Sequence, residues 1–329
     1  MFRSHRQLLS ISATEAPFTG IAQQLVANCE SALAMKETVT TLVSGHADLD
    51  EFVASIEGET IVAFDAEGVN ISRTGKATLC MLGINGEDNV HVFLFDVSDD
   101  AAEYQRRQIS TLKGFLEDSN ISKIIHDCRQ DSDSLNKFFN IRIVNVFDTS
   151  VYNFQIKDTT KRDNLNHTLA EYGCPINADR RPKDFYESHP NYWLDRPLTE
   201  IQITSAAQDV SFLFLLKDSI TDRMADMTES KKIQIQNASK EAISEFREKS
   251  FTTLVEDPKS EFGLVIRRDG STISMIERVS WALVGCSNTK GFFVLAASQA
   301  NLDSAKKMIL DKTKERRSSS YSRDCYRDY

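Results

Sequence analysis

The chain has 329 residues, enough for about two domains of roughly 150 residues each. Hydrophobic residues make up 41% and charged residues 26%, with 13 glycines and 6 prolines, which excludes collagen-like, low-complexity and largely disordered classes. There are 39 basic and 48 acidic residues, for a net charge of −9, and no apolar run approaches the ~20 residues that a membrane-spanning helix needs. We therefore expect a soluble globular protein with no membrane partner.

Cysteine usage and the leading residues bear on location. The six cysteines are far apart and include no CxxC pair, which argues against a zinc site or a disulfide scaffold and predicts free thiols in a reducing compartment. We expect a cytoplasmic or nuclear protein. Residues 1–37 contain Arg3 and Arg6 but also acidic residues, so we expect a helical or flexible segment, with a mitochondrial transit peptide as the alternative.

From about residue 38 to 225, short apolar runs alternate with helical patterns. The predicted strands cover 61–64, 78–84, 90–97, 123–125 and 143–147. The predicted helices cover 106–116, 131–139 and most of the chain from there to 227, apart from an irregular link at 174–197. This order predicts an α/β domain with a mixed sheet covered by helices.

The remaining third of the chain has a different organisation. Residues 226–250 are highly charged and contain no glycine or proline, which predicts a connecting helix. Residues 251–316 show a smaller βααββα pattern, and residues 317–329 have almost no aliphatic side chains, which predicts disorder. From 251 to the end there are 13 basic and 10 acidic residues, so an acidic body is followed by a basic end. This distribution does not suit a duplex-DNA binder, but it allows an acidic metal site plus a separate nucleic-acid contact.

Two acidic residues, Asp65 and Glu67, come directly after the apolar run at 61–64. On a strand, residues i and i+2 face the same side, so the two carboxylates project together. Paired carboxylates repel unless they are protonated or neutralised by a cation, and oxygen ligands suit Mg²⁺ or Mn²⁺. Alone the pair is a weak signal, because most such pairs are structural or lie on the surface.

The motifs that follow make the signal specific. A histidine and an aspartate precede Leu-Asn-Lys-Phe-Phe in the second motif, Phe-Asp-Thr closes the next strand, and Arg-Pro-Leu leads to a helix with Ala-Ala-Gln-Asp-Val; these motifs occupy 126–139, 147–149 and 196–210. Together with Asp-Ala-Glu at 65–67, this order resembles the DEDD superfamily of 3′-5′ exonucleases. It is most similar to the ribonuclease D-like group that includes Egalitarian and the exonuclease 3′-5′ domain-containing proteins.

The resemblance implies a ribonuclease H-like fold and hydrolysis of phosphodiester bonds with two divalent ions, Mg²⁺ or Mn²⁺. The four acids that match the family's catalytic and metal-binding positions are Asp65, Glu67, Asp131 and Asp209. Asp131 is preferred over Asp127 and Asp133 because it matches the family acid, and Asp148 is given a structural or supporting role. The chain departs from the family before the last acid. Family members carry a tyrosine four residues or a histidine five residues before it, and here these positions are Ser205 and Thr204. Losing general acid–base assistance costs about 10²–10⁴-fold in rate, so we expect a slow enzyme or none.

Basic and aromatic residues are candidates for substrate contacts. Arg73 and Lys76 follow the first acidic motif and are predicted to bind substrate phosphates. Further basic residues in polar links fit either phosphate contacts or a solvated loop; they are Lys161, Arg162, Arg180, Arg181 and Lys183. His126, near the second motif, fits either a site residue or a packed, hydrogen-bonded one. Trp193 fits base stacking, although packing beside Pro197 is the simpler interpretation.

The segment 262–276 resembles the helix–loop–helix of a KH domain, and the βααββα order agrees. In that family a GxxG loop contacts nucleotides through its backbone, whereas the loop here is Arg267-Arg268-Asp269-Gly270. The two arginines are predicted to bind substrate, and the alternative is a small α/β domain used for packing or protein contact.

The sequence therefore predicts a metal-dependent 3′-5′ exonuclease that acts on single-stranded RNA. The alternative is a catalytically weak RNA-binding adaptor in RNA transport or small-RNA pathways, which the serine at 205 favours. A DNA-proofreading nuclease is a weaker third interpretation. A homodimer or another protein partner is compatible with either of the first two, and RNA is preferred over DNA only on the basis of the resemblance.

Overall fold

The structure is a computed structural model that describes residues 36–72, 75–98, 103–159, 161–249, 251–255, 271–280, 282–287 and 291–324. The predicted leading segment 1–37 lies almost entirely outside these residues. Within the described ranges, no helix combines the length and the apolar character needed to cross a membrane.

The first part of the chain forms one sheet with helices on both faces. Its strands are β1 (Glu37–Val43), β2 (Ile61–Ser72), β3 (Gly75–Asn85), β4 (Asn89–Asp96), β5 (Ser122–Ile125) and β6 (Val146–Asp148). Its helices are α1 (His46–Ile56), α2 (Glu103–Leu116), α3 (Arg129–Phe139), α4 (Thr149–Lys157), α5 (Leu165–Glu171), α6 (Lys183–Ser188), α7 (Glu200–Arg223) and α8 (Glu229–Glu245).

The six strands follow the order β1-β4-β3-β2-β5-β6. The central strands β2, β3 and β4 run antiparallel, while β1 is parallel to β4, and β5 and β6 continue in parallel beyond β2. This mixed sheet with helices around it confirms the predicted α/β fold. Strand β2 lies inside the sheet and pairs with β5 as far as Ala63, while its Asp-Ala-Glu motif pairs with β3.

Successive side chains of the central strands point to opposite faces of the sheet, and each face belongs to its own apolar core. On one face, Phe52 of α1 makes edge-to-face contacts with Phe93 and Phe95 of β4. On the other face, Met81 and other strand residues join the core that includes Val210 of α7. Because both faces of the sheet are covered, β3 is buried from Ala77 to Ile84, and its sequence is accordingly a continuous apolar run rather than an alternating one.

The strand predicted at 143–147 is shorter and shifted. Asn145 has a φ of 51°, a left-handed conformation that a strand does not accommodate, so regular pairing begins only at Val146. Strand β1 and helix α1 are additions to the predicted elements. The predicted helix at 106–116 begins earlier, and the connecting helix predicted at 226–250 is observed as α8.

The C-terminal residues form a second, three-stranded sheet. Its elements are β7 (Phe251–Val255), α9 (Ser271–Ser280), β8 (Ala282–Ser287), β9 (Gly291–Ala296) and α10 (Gln299–Asp324). The antiparallel order is β7-β9-β8, and a separate apolar core includes Ile276 and Phe292. Helix α10 extends to Asp324, past residue 317, where the sequence predicts disorder; the intervening polar residues include no glycine or proline, the residues least favourable in a helix.

Candidate active site

Strand β2 presents the first two acids of the site. Asp65 pairs with Met81 and Glu67 pairs with Leu79 in the register between β2 and β3, so the two carboxylates lie on the same face, as predicted from the spacing. The register shifts between Glu67 and Gly68. At Gly68 a Cβ atom would lie only 2.2 Å from the carbonyl oxygen of Lys76, so the irregular backbone that follows Glu67 requires glycine.

Helix α7 supplies the third acid, Asp209. The helix begins with a capping box in which Thr199 and Gln202 exchange hydrogen bonds, and this fixes where its first turn starts. At Gly83 of β3, a Cβ atom would lie 2.7 Å from Cγ1 of Val210. The absence of a side chain at residue 83 therefore lets α7 approach the sheet closely just where it carries Asp209.

The result is a compact group of carboxylates, which we call the acidic cluster: Asp65, Glu67 and Asp209. One carboxylate oxygen from each residue lies within 4.8 Å of the other two. Asp209 is 1% exposed, while Asp65 and Glu67 are partly exposed. Three hard oxygen donors at this spacing fit a divalent cation such as Mg²⁺ or Mn²⁺.

The fourth predicted acid, Asp131, lies in the first turn of α3 and is buried. It is not one of the three residues whose oxygens converge within 4.8 Å. Burial, followed by the negative charge of Asp65, raises the pKa of Asp131 well above its ordinary value, and Glu67 adds to this effect. Asp131 is therefore close enough to add negative charge to the acidic cluster without belonging to its tightest part.

The ionisation of the acidic cluster shows that its negative charge is incompletely balanced. Burial, with the nearby charge of Asp209, raises the pKa of Asp65 to about 7. Burial, with the charge of Asp65, raises the pKa of Glu67 well above its ordinary value. These shifts arise because burial and like charge disfavour the ionised form. A bound cation would remove this cost, which agrees with the choice of donor atoms.

Asn177 holds the carboxylate of Asp209 by a hydrogen bond. Its Nδ2 donates to Oδ1 of Asp209 at 2.8 Å, to the carbonyl oxygen of Ser205 at 2.8 Å and to the hydroxyl of Ser205 at 3.2 Å. Asn177 and Ser205 are both buried. The hydroxyl of Ser205, where the resemblance implies a tyrosine, is thus hydrogen-bonded to an amide, and within the described part of the chain no titratable group is hydrogen-bonded to it.

Comparison with known proteins decides the family. A family model described as 3′-5′ exonuclease matches residues 40–225, which is more than half of the chain. The chain belongs to the 3′-5′ exonuclease family. The matched range contains β2, α3 and α7, so all four predicted acids lie in this exonuclease domain.

Curated relatives of the exonuclease domain include piRNA biogenesis proteins and ribonuclease D. The human piRNA biogenesis protein EXD1 is 27% identical over 228 residues, covering 66% of this chain and 43% of that protein. The mouse piRNA biogenesis protein EXD1 is 31% identical over 186 residues, covering 53% of this chain and 31% of that protein. Ribonuclease D of Gluconacetobacter diazotrophicus is 29% identical, covering 56% and 42%. The chain therefore spans less than half the length of these relatives.

Solved structures agree on the fold. RNase D from Trypanosoma brucei matches with a TM-score of 0.53 and 19% identity, over 64% of this chain and 73% of that chain. The same trypanosomal protein in complex with RNA U12 matches with a TM-score of 0.51 and 20% identity, over 67% and 74%. At these identities the likeness shows a shared exonuclease fold.

A second charged group lies beside the acidic cluster, and we call it the ion-pair cluster: Asp127, Arg129, Arg162 and Glu245. Arg129 donates to both oxygens of Asp127, at 2.6 and 2.9 Å. Arg162 donates to Asp127 at 3.1 Å, and both arginines approach Glu245. Burial alone would raise the pKa of Asp127, but the hydrogen bonds and charge of Arg129, helped by Arg162, outweigh it and lower that pKa. Arg162 is thus engaged in an ion pair with Asp127.

Two other residues near the site have structural contacts. Asp148 is fully buried and caps α4, and its two oxygens also accept the backbone N–H groups of Asp127 and Cys128 at 2.9 Å each. The ring of His126 is hydrogen-bonded to Thr149 at 2.9 Å and to the carbonyl oxygen of Asp163 at 3.1 Å. The structural interpretations of Asp148 and His126 therefore agree with their contacts.

Lys76 is the one predicted substrate-binding residue that lies in the described part of the chain. Lys76, on β3, donates to the carbonyl oxygen of Ser98 at 3.3 Å and lies over the ring of Phe139 at 5.6 Å. Arg73, Arg267 and Arg268 lie outside the described residues. Trp193 is 3% exposed and belongs to the apolar core. Its ring is therefore not accessible to a base, and the packing interpretation agrees with the structure.

Sequence reasoning overlooked Asn177 and Tyr186, and it considered Arg180 only as a phosphate contact or as part of a solvated loop. Burial raises the pKa of Tyr186 to about 12, and the charge of Glu67 adds to this, so the Tyr186 hydroxyl lies near the acidic cluster. Arg180 donates to Asp209 at 2.5 Å. Asn177 and Arg180 belong to the irregular link before α6, where no periodic pattern indicates which side chains turn inward.

Proposed function

We propose that this member of the 3′-5′ exonuclease family is a metal-dependent exonuclease that acts on single-stranded RNA. The observation that carries the proposal is the convergence of Asp65, Glu67 and Asp209 within 4.8 Å, with Asp131 adding a fourth negative charge. Two divalent ions bound to such a group can activate water and stabilise the leaving oxygen of a phosphodiester. The bond to the 3′ oxygen of the preceding nucleotide breaks, and a nucleoside monophosphate leaves.

The residues of this chain have distinct roles in the proposed reaction. Asp65 and Glu67 present their oxygens from a strand that pairs with β3 at these residues, and Asn177 fixes the carboxylate of Asp209 through Oδ1. Rigid placement of this kind contributes to catalysis because the charged groups need little rearrangement in the transition state. Ser205, bound to Asn177, leaves the family tyrosine's role unfilled, and we expect slow turnover.

RNA as the substrate is supported by the relatives. Relatives of the exonuclease domain are named as ribonuclease D and as piRNA biogenesis proteins, and a trypanosomal RNase D with the same fold has been solved with RNA. We propose that Arg73 and Lys76 contact phosphates in this domain. We further propose that 251–316 is a KH-like module whose Arg267 and Arg268 add contacts to RNA.

A time course on 5′-labelled single-stranded RNA with Mg²⁺ or Mn²⁺ tests the proposal. The informative variant is Asp209→Asn, and the matched control is Asp218→Asn, the same change on the same helix at a side chain that is 69% exposed. We expect stepwise shortening from the 3′ end by the wild type and by Asp218→Asn, and none by Asp209→Asn. Shortening that survives in Asp209→Asn would contradict the proposal.

The second candidate function is an RNA-binding adaptor with little catalysis. The engagement of the Ser205 hydroxyl by the Asn177 amide favours it, since no general base occupies the family position. Fluorescence anisotropy with labelled RNA, in EDTA and in Mn²⁺, separates the two functions. An adaptor binds RNA without shortening it in EDTA or in Mn²⁺, whereas an exonuclease shortens RNA when Mn²⁺ is present.

A further inference from the structure

One residue brings positive charge directly onto the acidic cluster. Nη1 of Arg180 lies 2.5 Å from Oδ2 of Asp209. Asp209 is 1% exposed, whereas the side chain of Arg180 is 35% exposed. The carboxylate is therefore fixed in the interior, and the guanidinium reaches it from the accessible side.

The backbone around Arg180 is shaped for this contact. Oδ1 of Asn177 accepts the backbone N–H groups of Asp179 and Arg180 at 3.1 Å each, while Nδ2 of the same amide donates to Oδ1 of Asp209 at 2.8 Å. Asn177 thus turns the chain so that Arg180 meets the remaining oxygen of Asp209. Both oxygens of this carboxylate are occupied by donors from one short segment.

The guanidinium acts on the whole acidic cluster. Burial alone would lower the pKa of Arg180, but the charges of Asp209, Glu67 and Asp65 outweigh it and raise that pKa. A single positive charge among three carboxylates balances part of their repulsion. A divalent ion bound to Asp209 would stabilise the acidic cluster in the same way as Arg180 does, but with twice the positive charge.

We propose that Arg180 is a resident counter-ion of the acidic cluster, and that a divalent ion binds there by displacing its guanidinium from Oδ2 of Asp209. This inference rests on the proposed metal-dependent function. It adds that metal affinity is weakened by a residue of the chain itself, and that metal loading is coupled to release of Arg180. The partial exposure of the side chain and the absence of regular structure in its segment allow the release.

Calorimetric titration of the metal-free protein with Mn²⁺ tests the competition. The variant is Arg180→Gln, which keeps hydrogen-bonding capacity but removes the charge, and the control is Arg181→Gln, whose guanidinium instead lies over the ring of Phe185 at 5.4 Å. We expect Arg180→Gln to bind Mn²⁺ about tenfold or more tightly than the wild type, and Arg181→Gln to match the wild type. Equal or weaker binding by Arg180→Gln overturns the inference.

A second measurement uses the wild-type protein alone. Phenylglyoxal modifies accessible guanidinium groups, and peptide mass spectrometry follows Arg180 and Arg181 separately in the same sample. We expect Mn²⁺ to accelerate modification of Arg180 and to leave Arg181 unchanged. A rate for Arg180 that is unaffected or slowed by Mn²⁺ overturns the inference, even if Arg180→Gln does not fold.

The two proposals fail in distinguishable ways. If the wild type binds Mn²⁺ and Arg180→Gln binds it equally, only the counter-ion role fails and the metal site stands. If neither protein binds Mn²⁺, the proposed metal-dependent function fails, and the counter-ion role fails with it.

Discussion

The acidic cluster consists of three carboxylates, whereas the ion-pair cluster sets two arginines against two carboxylates. Asp127 is held by two arginines and its pKa is lowered, whereas Asp65 shares the single Arg180 with two other carboxylates and its pKa is raised to about 7. Burial acts in the same direction on both aspartates. The two aspartates therefore differ in the number of their positive partners, and this difference in charge balance, rather than the local density of acids, distinguishes the proposed metal site.

We expect the largest effect on Mn²⁺ affinity in a comparison of Asp65→Asn with Asp127→Asn. Asp65→Asn replaces one of three converging carboxylates with a neutral amide. We expect Mn²⁺ affinity to fall about 100-fold or more, because even residues outside the ligand set contribute 10–100-fold at metal sites. Asp127→Asn removes a charge already paired with arginines, and we expect Mn²⁺ affinity within about threefold of the wild type. Calorimetric titration measures both, and similar losses in the two variants would break the comparison.

The next effect concerns Asn177, which contacts the acidic cluster but lies outside it. Asn177→Ala removes the amide that fixes Oδ1 of Asp209 and takes one of its donors from the Ser205 carbonyl oxygen. We expect Mn²⁺ affinity to fall about 10–100-fold, with a fall in the free energy of unfolding of about 1–3 kcal/mol. Titration and thermal unfolding in EDTA measure these separately, and unchanged metal affinity would show that Asp209 needs no such support.

The pH dependence of stability sharpens the same comparison in EDTA. Between the unfolded pKa of Asp65 and about 7, the folded protein holds a proton on Asp65 that the unfolded chain has lost, so this group makes the protein less stable as the pH rises through that interval. Asp127 behaves oppositely: its contribution is present above its unfolded pKa and is lost as the pH falls through its lowered folded pKa.

The variant Asp65→Asn isolates the first of these contributions. We expect its free energy of unfolding, relative to the wild type, to be higher at pH 8 than at pH 5 by the order of 1 kcal/mol. Denaturant titrations at the two pH values measure it. A relative stability that does not change with pH would mean that the carboxyl group of Asp65 ionises normally in the folded protein.

The smallest effect is expected for Ser205→Ala. The Asn177 amide loses one of three acceptors and keeps the Ser205 carbonyl oxygen and Asp209, so we expect less than about 1 kcal/mol in stability and less than about threefold in the rate of RNA shortening. Single-turnover assays measure the rate. A loss of 100-fold or more would assign Ser205 a direct role that its contacts do not indicate.

The sequence predicted those parts of the site that depend on periodicity. Two-residue spacing on an apolar strand placed Asp65 and Glu67 on one face, and the family motif identified Asp209 on its helix. Asn177 and Arg180 were beyond reach, because their roles depend on contacts across about thirty residues of chain between an irregular link and α7. The short β6 shows the same limit, since the left-handed Asn145 is invisible in an otherwise β-favouring run.

Gly83 determines how closely α7 packs against the sheet at this site. Its Cα faces Val210, the residue directly after Asp209, and a methyl group there would lie 2.7 Å from the valine side chain. A larger residue at this position would force Val210 or α7 itself to shift. The close approach of α7 to the sheet, and with it the approach of Asp209 to the acids on β2, therefore depends on a residue without a side chain.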